Sequence, residues 1–401
     1  ARAGEARPDL DPELLRFLES ILLLRVPGDL ESELAMRFQQ LTSAAMAKGW
    51  EDTALYRYLR LVALNEVGGD PDRFGVSPAT FHGTCTRNQA ARPLAMLAST
   101  THDTKRSEDV RARLHVLSEI PERWAATVRE WMAHNARHRR DDRLDRNTEY
   151  LLYQTLVGAW PLAAERATAY MEKAVREAKR HTAWTAQDPD YEAAVREFTL
   201  AVLDDPVFTA SLERFVAEVR EPGHVNGLAQ TLLKLTIPGV PDIYQGTELW
   251  DLSLVDPDNR RPVDFARRRA LLDELDTLSP ADILDRMDEG LPKLWLVRQT
   301  LHLRRREPEL FGADGAYRPL AATGRRADHV VAYQRGDGAV AVAPRLSTGI
   351  ADGWGDTALA LPARPWRNLL TGDDLIGGDT PLGELLARFP VALLARKDRS
   401  T

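Results

Sequence analysis

The chain has 401 residues, 44% hydrophobic and 28% charged, with 53 basic against 60 acidic side chains and a net charge of −7. That apolar content supports a sizeable core and excludes disorder as the main state, the acidic balance argues against a dedicated nucleic-acid binder, and roughly 150 residues per domain gives two or three domains. One cysteine, Cys85, fits a reducing compartment, no apolar run approaches the ~18 residues of a membrane span, and the charged, proline-containing Ala1–Asp9 is unlike a signal peptide, so a cytoplasmic location is expected.

In chain order, Leu14, Leu15, Phe17, Leu18, Ile21 and Leu22 recur at helical spacing. Pro27-Gly28-Asp29 breaks that helix, and a second begins near Leu30. Leu55, Leu59 and Val62 predict one helical face over residues 51–66, ended by Gly68-Gly69-Asp70-Pro71. Residues 94–99 are a short apolar run that stops in the polar burst Ser99 to Asp109, as in a buried parallel strand feeding a loop and a helix. Residues 120–235 are almost continuously helical in pattern, and Arg137 to Asp142 reads as a solvated face. A second strand is predicted over Ile237 to Tyr244. From about residue 312 short strands punctuated by Gly and Pro take over, with a β-hairpin from His329 to Ala343 around Gly336-Asp337-Gly338.

Three clusters hold candidate chemistry. In the first, His102 and Asp103 place a neutral donor beside a carboxylate at a strand end, with the cations Lys105 and Arg106 following. Ser107, Glu108 and Asp109 suit an ordinary helix N-terminus, with capping and dipole complementation. The second, Asp251 to Asp264, is a loop by its Asp256-Pro257-Asp258 turn; it is either an ion-paired structural loop or a substrate-contacting one. The third, Lys48, Trp50 and Tyr56, is either a plain helix connection or a sugar-binding group using hydrogen bonds and ring stacking. Metal-protease, zinc-ribbon, P-loop and nucleophile-elbow motifs are absent, so no metal and no cofactor is expected.

Residues 99–113, Ser-Thr-Thr-His-Asp-Thr-Lys-Arg-Ser-Glu-Asp-Val-Arg-Ala-Arg, resemble the signature of the maltooligosyl trehalose synthases of the α-amylase superfamily. Ala47-Lys48-Gly49, Glu51-Asp52-Thr53-Ala54 and Leu64 to Pro71 look like further stretches of the same family. Gly239 to Glu248 and Asp256 to Pro262 are similar to superfamily motifs at and after the last barrel strand. The resemblance runs from about residue 30 to the end.

The resemblance implies an α/β plus all-β chain: the last part of a (β/α)₈ barrel with large helical insertions, then a small antiparallel β domain. Residues 1–93 would be a helical subdomain, 94–110 and 236–311 the C-terminal strands and loops of the catalytic barrel, 111–235 a helical excursion, and 312–401 the β domain. The two predicted strands would be the seventh and eighth. The implied reaction is intramolecular transglucosylation, in which the α-1,4 linkage at the reducing end of a maltooligosaccharide becomes an α,α-1,1 linkage. Retaining enzymes of this kind use a nucleophile, a general acid/base and a third carboxylate. The third would be Asp103, gripping sugar hydroxyls as the ring distorts. His102 would donate to the same sugar, Lys105 and Arg106 would hold the glucose that turns over and attacks, and Lys48 and Tyr56 would line its closed, water-excluding pocket. In the family the nucleophile and general acid lie on earlier strands, and no matching motif precedes residue 30. The missing half is expected from another polypeptide, from a cleaved but associated one, or to have been lost. The alternatives are a non-catalytic glucan-binding or assembly module and another glucan hydrolase of the superfamily; no nucleic-acid or membrane partner is expected.

Overall fold

The structure is a computed structural model and describes residues 2–140 and 143–397. The first part is helical: α1 Arg2–Ala6, α2 Pro12–Leu22, α3 Asp29–Ala44 and α4 Pro78–Ala91. After the short strand β1, Met96–Leu97, come α5 Glu108–His115, α6 Pro121–His134, α7 Arg146–Ala159, α8 Ala164–Ala178, α9 Pro189–Leu203 and the 31-residue α10, Pro206–Thr236. Asp145, Asp188 and Asp205 cap α7, α9 and α10 by accepting backbone N–H groups of the first turn. Strand β2, Val240–Pro241, precedes α11 Phe265–Glu274, α12 Pro280–Asp285 and α13 Leu291–Arg306. The remainder is mostly strand: β3 Tyr317–Leu320, β4 Ala322–Thr323, β5 Val330–Arg335, β6 Ala339–Pro344, β7 Ala358–Ala360, β8 Pro365–Asn368, β9 Asp374–Ile376, β10 Asp379–Pro381 and β11 Ala392–Arg396, with α14 Leu382–Leu385 before the last.

Among the described residues the two largest hydrophobic cores organise the chain. Trp124, Trp131, Tyr153, Phe208 and Phe215 pack ring on ring between α6, α7 and α10. The second lies where α10 and α13 cover a six-stranded antiparallel sheet of order β3-β5-β6-β11-β8-β9. Val331, Tyr333, Ala341 and Ala343 meet those helices, while Val330, Ala332, Val340 and Val342 face a second layer with Leu359, Trp366 and Leu382. Both faces of β5 and β6 are therefore buried, which is why the hairpin reads as two continuous apolar runs. Gly336 turns it at a positive φ of 50°, where a side chain would also strike Leu310.

The predicted strands 94–99 and 237–244 do pair in parallel, Met96 with Val240 and Leu97 with Pro241. Gly239 permits it: a Cβ there would lie 2.5 Å from the Leu97 side chain and 2.8 Å from the Ala95 carbonyl. Both strands are shorter than expected, and they are not buried; Met96 is 68% exposed. Among the described residues they form a sheet of only themselves, and no further strand pairs with either. Residues 51–66 are not a continuous helix: Glu51 ends a π-turn begun at Ala45, and two 3₁₀ turns and an extended Leu61 follow. The buried Asn65 amide donates to the carbonyls of Leu55 and Tyr58 and so closes that irregular path. Arg137 and Arg140 are exposed, as a solvated face requires, but His138 and Arg139 are half-buried: Arg137 and His138 bind Asp205, Arg139 binds the buried Glu149, and Arg140 reaches the exposed Glu197. Asp141 and Asp142 of that run lie outside the described residues. Among the described residues no helix is long and apolar enough to cross a membrane.

Candidate functional site

The connection from β1 to α5 carries the polar burst. Its far end is tied to the loop after β2, with the Ser107 N–H on the Ser253 carbonyl at 3.0 Å and Arg106 bridged to Leu254. Its tip is an exposed turn at His102 and Asp103. The Asp103 N–H donates to Thr101 Oγ1 at 3.2 Å, and Thr104 Oγ1 donates to the Thr101 carbonyl at 3.0 Å. The buried Asn259 amide donates to the carbonyls of Thr101 at 3.3 Å and His102 at 3.1 Å. Asn259 stands in the Asp251–Asp264 loop. That loop is heavily ion-paired: Arg166 forks onto Asp258, both contacts at 2.7 Å, and Arg261 joins the same carboxylate at 3.0 Å.

The other side of the turn is held from residues 48–66. Glu66 Oε1 accepts the Lys105 N–H at 2.7 Å, and Oε2 accepts the Arg106 N–H at 3.2 Å and Arg111 Nη1 at 2.7 Å. Asp52 accepts Lys105 Nζ at 2.8 Å and Lys48 Nζ at 2.6 Å. Burial pushes the Asp52 carboxyl up, but the two ammoniums outweigh it and leave it below its ordinary value. Lys48 is raised, first by its hydrogen bond to Asp52, with the charge of Asp103 adding to the effect. Beside these residues runs an open groove of about 640 Å³, whose walls include Glu66, Arg73, Ser99, Thr101, Thr104 and Arg111.

His102, Asp103 and Lys48 are thus all exposed, and the Asp103 charge is felt at Lys48. Lys105, Arg106 and Tyr56 are not exposed, contrary to expectation. Lys105 and Arg106 are each 3% exposed. Lys105 is engaged with Asp52 and lies 5.9 Å from the centre of the Tyr56 ring. Arg106 donates to the Tyr170 hydroxyl at 2.6 Å and the Val62 carbonyl at 3.4 Å. Tyr56 is 5% exposed within the helical core, its hydroxyl has no hydrogen-bond partner, and burial pushes its pKa well above the ordinary value. The Tyr56 hydroxyl and Arg106 Nε lack partners, but burial keeps all three side chains out of reach of a sugar at the surface of this chain. Glu66 and Asn259 received no role from sequence, although both fall in stretches that resemble the family. Their adjacency to the turn is a long-range contact that no local pattern announces.

Below the turn lies a fully buried set of charges. Lys293 Nζ sits 2.8 Å from Glu108 and 2.7 Å from Asp109, and Lys234 Nζ sits 3.0 Å from Glu108. These carboxylates, expected only to complement a helix N-terminus, join α5 to α10 and α13. Burial opposes ionisation of Glu108, yet the two lysines hold it well below the usual carboxylate range. Asp109 is pushed up to about 6, chiefly by burial and against the pull of Lys293. Among the described residues no group of three or more His, Cys, Asp or Glu could hold a metal ion.

No family model matches the chain. Two curated sequences of Mycobacterium tuberculosis, from strains CDC 1551 / Oshkosh and ATCC 25618 / H37Rv and provisionally named maltooligosyl trehalose synthases, are 43% identical over 393 residues. That alignment takes in 96% of this chain and 48% of theirs, so the chain spans about half the length of the curated relatives it matches. A solved maltooligosyltrehalose synthase from Arthrobacter ramosus superposes with a TM-score of 0.87 at 44% identity, covering 99% of this chain and 50% of that one. A further structure of a maltooligosyl trehalose synthase matches with a TM-score of 0.79 at 33% identity, covering 92% of this chain and 48% of that one.

Proposed function

We propose, for a chain homologous along nearly its whole length to maltooligosyl trehalose synthases, that it is one part of an intramolecular transglucosylase acting on the reducing end of maltooligosaccharides. The observation that carries this reading is the exposed His102–Asp103 turn at the C-terminal end of a strand paired in parallel, held on one side by the partly enclosed Glu66 and on the other by the buried Asn259. In (β/α)₈ enzymes the catalytic groups stand at that end of the strands. Strands β1 and β2 are then the seventh and eighth of a barrel whose earlier strands, and whose nucleophile and general acid/base, come from the rest of the protein.

The chemistry is an isomerisation. The nucleophile bonds to C1 of the penultimate glucosyl unit while the general acid protonates O4 of the departing glucose. That glucose turns, its anomeric hydroxyl attacks C1, its proton passes to the same acid/base, and the carboxylate leaves. Asp103 grips hydroxyls of the distorting ring, an interaction that strengthens towards the transition state. His102 donates to the same sugar, and Lys48 stands beside it. Lys105 and Arg106 act from behind, as the buried frame of the turn.

The complete protein is tested on maltopentaose. The reading expects reducing ends to disappear while sugar units are conserved and little free glucose is released. A gain of one reducing end per bond broken would mean a hydrolase and overturn it. Glucan binding by this chain, with no product from the complete protein, would mean a non-catalytic module.

A further inference from the structure

Glu66 is a partly enclosed carboxylate whose two oxygens receive donors from three places. Oε1 accepts the N–H groups of Lys105 at 2.7 Å and Val67 at 2.8 Å. Oε2 accepts the Arg106 N–H at 3.2 Å and Arg111 Nη1 at 2.7 Å. Arg111 in turn donates to the Arg106 carbonyl at 3.0 Å and to the Ser99 carbonyl. Both stems of the loop, residue 99 on one side and residues 105–106 on the other, therefore close on one Glu66–Arg111 pair. Charge-assisted bonds of this kind are stronger and more directional than neutral ones. Opposite them, Asn259 holds the carbonyls of residues 101 and 102. The Asp103 carboxylate itself projects from the exposed tip between these two anchors.

We propose that Glu66 is a positioning residue for Asp103: it clamps the backbone of Lys105 and Arg106, and with Asn259 opposite fixes where the Asp103 carboxylate stands. The proposal rests on the reading of Asp103 as a substrate-gripping carboxylate. Glu66 touches no reacting atom. Its effect travels through the turn, and a displacement of about 1 Å at a positioned group costs on the order of 100-fold in rate.

The decisive variant is Glu66→Gln, which keeps the size of the side chain but replaces one acceptor oxygen with an N–H₂ facing donors. Hydrogen exchange at the Lys105 and Arg106 amides and kcat and KM on maltopentaose are all measured in the complete protein. The amides are expected to exchange about tenfold faster or more, the worth of one hydrogen bond to a charged acceptor. A kcat lower by roughly 10- to 100-fold is expected, with KM unchanged, as when an interaction made only in the transition state is lost. Asn259→Ala, which frees the turn from the other side, is expected to reproduce the kcat-selective loss and carries the test if E66Q does not fold. Unchanged exchange overturns the proposal. Faster exchange with undiminished kcat, beside an inactive Asp103→Asn, overturns it while leaving the reading of Asp103 in place. An active Asp103→Asn overturns both.

Discussion

Lys293 has no exposed surface, and its ammonium serves Glu108 and Asp109 at once. With Lys234 the set balances two cations against two carboxylates. Lys293→Met fills the same space but leaves the carboxylates short of a partner, so a loss of about 3–5 kcal/mol is expected in urea unfolding. Its pH dependence follows from sign. Lys293 is what pulls against burial at both carboxylates. Without it the Asp109 pKa, already raised to about 6, rises further, and Glu108 loses part of what holds it low, so ionisation of Asp109 opposes folding more strongly. The deficit of Lys293→Met is therefore larger at about pH 8 than at about pH 5; a deficit that grew on acidification would contradict this account. Nothing in the local sequence marks Glu108 and Asp109 as more than helix-start residues, because their partners lie 126 and 184 positions away. The turn shows the same limit. A strand followed by a polar burst predicts a loop over residues 102–106, but inward and outward directions within it are set by Glu66 and Asn259. For that reason Lys105 and Arg106 read like ligands and are buried.

The helix α10 begins at Asp205, whose carboxylate does two jobs. Its Oδ1 caps the helix by accepting the Val207 and Phe208 N–H groups at 3.0 and 3.4 Å. Its Oδ2 meets His134 at 2.8 Å, His138 at 3.0 Å and Arg137. The hydrogen bond from His138, then those from Arg137 and His134, hold its pKa far below the ordinary 3.8. A depressed carboxyl contributes stability above its unfolded pKa and loses it on acidification. Asp205→Asn keeps a good cap but loses the ion pairs, so it is expected to be less stable than wild type at neutral pH, with the gap closing as pH falls below about 4. Asp205→Ala also loses the cap and is expected to cost about 1 kcal/mol more; urea midpoints across pH separate the two. Elements whose signals are local were legible: the β5–β6 hairpin from its apolar runs and Gly-Asp-Gly turn, and the helices from α6 to α10 from their period. The irregular path over residues 51–66 was not, since its apolar positions fit a helical face while Asn65 diverts the backbone. In the run Arg137–Arg140 the ends are exposed as expected, but the enclosure of His138 and Arg139 was not legible for a related reason: charge alone does not show whether another helix supplies Asp205 and Glu149.

Across the whole molecule, α10 and α13 join the helical layer to the antiparallel sheets, while β1 and β2 make a two-stranded parallel sheet. Parallel strands are ordinarily covered on both faces, yet Met96 stands 68% exposed. Since the chain spans about half the length of its relatives, the proposed function makes the remainder of the protein the cover for this sheet and the source of the two other carboxylates. In that proposal the third carboxylate, Asp103, lies in this chain, on an exposed turn where its substitution leaves the packing untouched. The most direct measurement is turnover of maltopentaose by the complete protein carrying Asp103→Asn, with its melting midpoint taken on the same sample. The account predicts a rate lower by roughly 10²- to 10⁴-fold, the range typical when a positioned catalytic group is lost, at an unchanged midpoint. Near-normal turnover by that variant would contradict it.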